Sequence, residues 1–187
     1  ILDRPHPGIE PYVKGCLTCF LYAEGEAFSS GRQDAARTLA CLKAHKASTL
    51  VLDSYELDES WEALIREQGY RLVVIDDLER SHQCDILVDQ KWTGFDTTFS
   101  RYDHLVPEHC QKLLGPDYAI LNPDYRAGCE PGPGPATLMF SLGGGGDLAV
   151  FQEVIPLLLA QMTQEFQIFI VLGPVCFNAD WALLLAQ

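Results

Sequence analysis

The chain has 187 residues, 48% of them hydrophobic and 21% charged, which excludes a disordered or low-complexity protein and leaves room for one large core or two modest ones. Its 26 acidic side chains against 13 basic ones give a net charge of −13, which argues against a broad nucleic-acid surface or attraction to anionic lipid. Any anionic ligand must then be held by local donors.

Near the start, Cys16-Leu-Thr-Cys19 has metal-pair or redox spacing, but no second pair follows, and the neighbouring Phe20-Leu21-Tyr22 favours packing. Seven cysteines without an apolar leader predict reduced thiols and a cytoplasmic location. Cys84, Cys110, Cys129 and Cys176 read as small core or surface residues. No apolar run reaches the roughly 20 residues of a membrane span.

Asp34 to His45 carries Ala36, Leu39, Ala40 and Lys43 at helical spacing. Thr49–Asp53 and Tyr70–Asp76 read as parallel strands buried on both faces, joined by a helix that Asp58 caps, that aligns Trp61, Leu64 and Ile65, and that Gly69 ends. Asp85–Asp89 is a further buried strand. The pattern is α/β and doubly wound, and in such sheets ligands bind outside the carboxyl ends of the strands. Asp53, Ser54 and Tyr55 on one strand end, and Asp76 and Asp77 on the next, are therefore candidates for the site.

The glycine- and proline-dense residues 126–136 predict a linker, which divides a partial N-terminal Rossmann-like domain (1–127) from the start of a C-terminal nucleotide-binding domain (137–187), with 128–136 between them. Beyond it lie a strand over Leu138–Leu142, a glycine run, a helix over about 148–161 kinked at Pro156, a strand over Gln167–Leu172 and a helix beginning at Asp180. The first residues, Ile-Leu-Asp, and the apolar last segment, Trp181–Gln187, predict an internal piece of a longer protein.

Thr137–Asp147 ends an apolar run in four glycines, Gly143, Gly144, Gly145 and Gly146, followed by Asp147 and a helix-like stretch. Glycine lets backbone N–H groups approach an anion, and a following helix adds its positive end, so this is the layout of a diphosphate cradle. Leu148 replaces the third glycine of a dinucleotide fingerprint and no Gly-Lys-Ser/Thr follows, so neither that site nor a P-loop is supported. A plain strand-to-helix turn accounts for the same residues.

In order along the chain, Leu50–Asp58, Leu72–Leu78, Cys84–Gln90, Leu114–Pro123 and Phe140–Asp147 resemble the UDP-sugar hydrolases of pseudaminic acid synthesis and the related spore-coat polysaccharide proteins. The resemblance spans about residues 33–174, and less clearly Asp3–Gly8. It implies the two-domain glycosyltransferase-B architecture, both halves incomplete here, with substrate between them. It also implies hydrolysis of UDP-2,4-diacetamido-2,4,6-trideoxy-β-L-altropyranose, with no metal or redox cofactor.

The resemblance places Tyr55 in the active site and the glycines at 143–146 against the diphosphate. The family's histidine motif, Gly-x-Gly-His-x-x-Arg, has no counterpart here, and relatives usually carry Ser or Thr before the aspartate where this chain has Gly146. His45 ends a predicted helix, and His6, His82, His104 and His109 read as solvated loop side chains. A glycosyltransferase of the same architecture and a non-catalytic UDP-sugar-binding module are the alternatives, and fusion to another enzyme of the pathway is compatible with the chain's ends.

Overall fold

In a computed structural model, residues 13–23, 26, 28, 30–94, 100–126, 134–163, 165–173 and 175–178 are described. The expected loop at Asp3–Gly8, with His6, and the expected helix at Asp180 lie outside them, as do Cys129 and most of the 126–136 stretch. The chain divides into two compact units, Ile1–Ala127 and Gly128–Gln187.

In the first unit Ser30 caps helix α1, Gly31–Ala44, by accepting from the Gln33 N–H, so the helix opens three residues before the sequence reading placed it. Strand β1 is Thr49–Asp53, and helix α2, Glu59–Glu67, follows it. Asp58 Oδ1 accepts from the N–H groups of Ser60 and Trp61, and the chain leaves the helix through Gly69 at φ 82°, a left-handed turn that suits glycine. Strands β2 (Arg71–Ile75), β3 (Ile86–Asp89) and β4 (Gln111–Leu114) complete a parallel sheet in the order β1-β2-β3-β4.

The core lies where the helices meet this sheet. Ala35 of α1 and Trp61 and Ile65 of α2 pack with Leu52, Leu72, Val74 and Leu87 of the strands, joined by Tyr102 from the β3–β4 connection. Asp34, buried beneath, accepts hydrogen bonds from Trp61 Nε1 at 2.8 Å and Tyr22 Oη at 2.9 Å, so both polar tips stay satisfied inside the apolar cluster. That bond and burial push the Tyr22 phenol up to about 12, burial being the larger cause.

The expectation that β1 and β2 are buried on both faces is corrected. Leu52, Leu72 and Val74 point toward the helices, whereas Val51, on the other face of β1, is 59% exposed and Val73 and Ile75 are half-buried. Side chains alternate along a strand, and within the described residues only one set of faces meets the helices.

In the second unit β5 (Ala136–Ser141) pairs in parallel with β7 (Phe166–Val171), and helix α3 (Val150–Leu159) packs against them. Phe140 meets Phe151 edge-on at 5.3 Å, and Leu148 and Ile155 close that small core. Pro156 sits inside α3. Both units are α/β with parallel pairing.

Candidate functional site at the carboxyl ends of the first sheet

β1 and β2 run in register, Asp53 opposite Ile75, so the residues after them emerge side by side. Tyr55, 66% exposed, donates its hydroxyl to Asp77 Oδ1 at 3.0 Å. The bond to Asp77 and that carboxylate's charge raise the Tyr55 pKa, keeping the phenol neutral. The structure therefore brings together two of the residues the sequence singled out and presents both to solvent.

Their neighbours do different work. Ser54 Oγ accepts from the N–H groups of Glu56 and Leu57, shaping the turn that carries Tyr55. Asp76 is buried and fully engaged: its carboxylate takes Arg80 Nε at 2.9 Å, the Leu78 N–H at 3.1 Å and the Tyr102 hydroxyl at 3.0 Å. Burial alone would raise its pKa, but Arg80 and His82 outweigh it and hold the carboxyl below the usual range.

Arg80 ties the two strand ends together. Besides Asp76 it donates to the carbonyls of Ser54 at 2.9 Å, Tyr55 at 3.1 Å and Leu57 at 3.3 Å. A guanidinium offers five donors in a fixed fork, and here they fix the Tyr55 turn onto the end of β2.

The reading of His82 as a solvated loop side chain is overturned. It is 1% exposed, with Nδ1 2.7 Å from Glu62 Oε1 on α2 and Nε2 3.3 Å from Asp76 Oδ2. Burial opposes a charged ring, but Glu62 and then Asp76 overcome it and raise the His82 pKa. Asp89, at the end of β3, pairs with Arg101 at 3.0 Å and shares the Tyr102 hydroxyl. With His82 protonated, the carboxylates of Glu62, Asp76 and Asp89 face the cations Arg80, His82 and Arg101, three of each sign within this cluster.

Sequence reasoning missed Glu62, Arg80, His82, Asp89, Tyr102 and Arg101. Asp89 stands at the end of its strand as Asp76 does next to its own, the one signal that was legible. A cleft of about 530 Å³ opens at the opposite, amino ends of the strands, between Arg66, Arg71, Asp85, His109 and Gln111. There Arg66 bonds both Asp85, at 3.0 Å, and His109 Nε2, at 2.8 Å.

In the second unit the glycine run is not followed directly by a helix. Gly145–Asp147 forms strand β6 against β8, Val175–Phe177, and Leu148 and Ala149 precede α3. Gly173, distant in sequence, passes so close to the run that a Cβ there would lie 2.4 Å from the Gly143 carbonyl oxygen. Gly143, at φ 72°, donates its N–H to Ser141 Oγ, and Asp147 Oδ1 accepts from the Ala149 N–H and from Asn178 Nδ2. Gly144 is exposed, and Gly145 and Gly146 are partly covered.

A parallel α/β sheet with an exposed hydroxyl–carboxylate pair at its carboxyl ends, braced by buried charge, is an arrangement suited to binding a polar ligand at the strand ends. Over 85 residues, 45% of this chain, the sequence is 31% identical to the UDP-2,4-diacetamido-2,4,6-trideoxy-beta-L-altropyranose hydrolase of Campylobacter jejuni, and that stretch is 30% of the relative's length. The chain is thus distantly related, over part of its length, to an enzyme acting on a nucleotide sugar. No protein-family model matches the chain. Among the described residues no helix is long and apolar enough to cross a membrane.

Proposed function

We propose that the protein hydrolyses a UDP-linked diacetamido sugar, within a glycosyltransferase-B architecture whose two halves correspond to the two units. Water attacks the anomeric carbon, the bond to the diphosphate oxygen breaks, and UDP leaves with the electron pair as the water's proton passes to a base. The observation that carries the reading is the exposed Tyr55–Asp77 pair at the carboxyl ends of β1 and β2.

In this reading Asp77 orients the Tyr55 hydroxyl, and the phenol oxygen accepts from a sugar hydroxyl or from the attacking water. Asp76 and Ser54 act from behind, Asp76 through Arg80 and Ser54 through its turn. His82 is excluded as the water-activating base, because Glu62 and Asp76 enclose its ring. Diphosphate binding falls to the exposed Gly144, with Gly145, Gly146 and Asp147 shaping that segment; the Gly143 N–H is already taken by Ser141.

The test is a mass-spectrometric assay for UDP and free sugar from UDP-2,4-diacetamido-2,4,6-trideoxy-β-L-altropyranose, run with this chain and with its whole native reading frame. Release of both products supports hydrolysis. Transfer of the sugar to an acceptor, or binding of UDP with no turnover by the whole frame, rejects it.

A further inference from the structure

The Cys16-Leu-Thr-Cys19 spacing lacks a second pair along the sequence, but the fold brings donors to Cys19 from the end of α1. Cys41 and His45 are one helical turn apart and therefore share a face. Cys19 Sγ lies 3.2 Å from His45 Nε2, and the donor atoms of Cys19, Cys41 and His45 all lie within 4.8 Å of one another. Cys19 and Cys41 are half-buried and His45 is exposed.

We propose that Cys19, Cys41 and His45 form a binding site for a thiophilic divalent cation of the zinc type, with two thiolates, one imidazole and a fourth position open to solvent. Zinc takes sulfur at about 2.3 Å and imidazole nitrogen at about 2.0–2.1 Å in a tetrahedron, which sets its donors roughly 3.5–3.8 Å apart. The spacing here reaches that geometry with shifts of about 1 Å or less. Binding releases the two thiol protons to solvent, and the two thiolates then neutralise the dication.

The helix end favours a cation, although Lys43 lies in the same last turn. Cys41 lies in the last turn of α1 and His45 caps it, so the ion sits at the negative end of the helix dipole. The His45 N–H bonds the Cys41 carbonyl at 3.1 Å, which holds the two ligands at one helical turn. None of the three belongs to either apolar cluster, so core packing does not account for their convergence. A bound ion would fasten the segment that carries Cys19 and Tyr22 onto α1.

The experiment uses the whole reduced chain, stripped by chelator and titrated with Zn²⁺ and, separately, Co²⁺. One ion per chain is expected. Co²⁺ should give a thiolate charge-transfer band and the strong visible bands of a tetrahedral site. C19S, C41S and H45N should each weaken Zn²⁺ binding by at least about tenfold, while C176S binds as the native chain does. Because His45 is exposed, H45N is expected to fold even if a cysteine variant does not, and circular dichroism checks this. Sub-stoichiometric binding by the folded, reduced chain, weak octahedral Co²⁺ bands, or unchanged affinity in H45N would each overturn the proposal. So would a Cys19–Cys41 disulfide that persists under mild reduction, which would make the pair a redox couple instead.

Discussion

Tyr55 donates to Asp77 across the ends of two neighbouring parallel strands, 3.0 Å apart and open to solvent, although 22 residues separate them in sequence. The in-register pairing of β1 with β2 creates this contact, and Arg80 holds it in place.

Tyr55→Phe removes only the hydroxyl from a side chain that is 66% exposed. Stability should change by no more than about 0.5 kcal/mol. If the proposed hydrolysis holds, kcat/KM for it should fall by about tenfold to a hundredfold, the loss of one hydrogen bond made to a reacting or charged group. Steady-state kinetics beside a denaturation curve separates these effects, and unchanged kinetics would remove Tyr55 from the site.

Arg80 positions the pair without needing to touch substrate. Arg80→Met strips the guanidinium from Asp76, whose side chain is fully buried and keeps His82, Tyr102 and the Leu78 N–H, and frees the Ser54–Leu57 turn. Part of the guanidinium is solvent-exposed, so a cost of about 2–3 kcal/mol is expected, below that of breaking a fully buried pair. Arg80→Lys keeps the charge but not the fork, and should fall between. If the role is positioning, Arg80→Lys should raise KM more than it lowers stability, a split that a purely structural residue would not produce.

His82 gives the first unit a pH dependence. Its native pKa is raised above the ordinary 6.5, so its stabilisation is complete below that value and is lost as pH rises through the native value. Asp76 acts with the opposite sign: its carboxyl is held below 3.8, so its contribution is present above that value and lost as pH falls through the native one. The native chain should therefore be most stable between the carboxylate and imidazole ranges. Glu62→Gln should cost about 3 kcal/mol in that window and flatten the alkaline decline, read as denaturant midpoint against pH. An equally steep decline in the variant would show that His82 is not the group responsible.

The strands were legible because β1, β2 and β3 are apolar runs, and α2 because Asp58 and Gly69 punctuate it. That Tyr55 and Asp77 belong together was legible only as far as both follow strand ends. The buried brace was not, because His82 lies in a stretch with no periodicity and its partner Glu62 sits twenty residues earlier on the buried face of a helix. Arg80 reads as a surface cation until the register of β1 and β2 brings the Ser54–Leu57 carbonyls within reach. Likewise nothing local to Cys19 points to Cys41 and His45, since only the packing of that segment on α1 joins them.

Gly173 tests the shape of the glycine run. A methyl group there would lie 2.4 Å from the Gly143 oxygen and 2.5 Å from the Gly144 carbonyl carbon, which are backbone atoms with no side-chain freedom to yield. Gly173→Ala must therefore separate β8 from β6 or distort the run, at a cost of about 1–3 kcal/mol. Hydrogen exchange should show the loss in residues 143–148 and 175–178 while β1–β4 stay protected. By contrast Gly144→Ala meets no neighbouring atom at that position, so it should leave exchange unchanged. If Gly144 lies against the diphosphate, as proposed, that second variant should still weaken UDP binding in the whole frame. Undiminished UDP binding by Gly144→Ala would remove the glycine run from the diphosphate site, whatever Gly173→Ala does to stability.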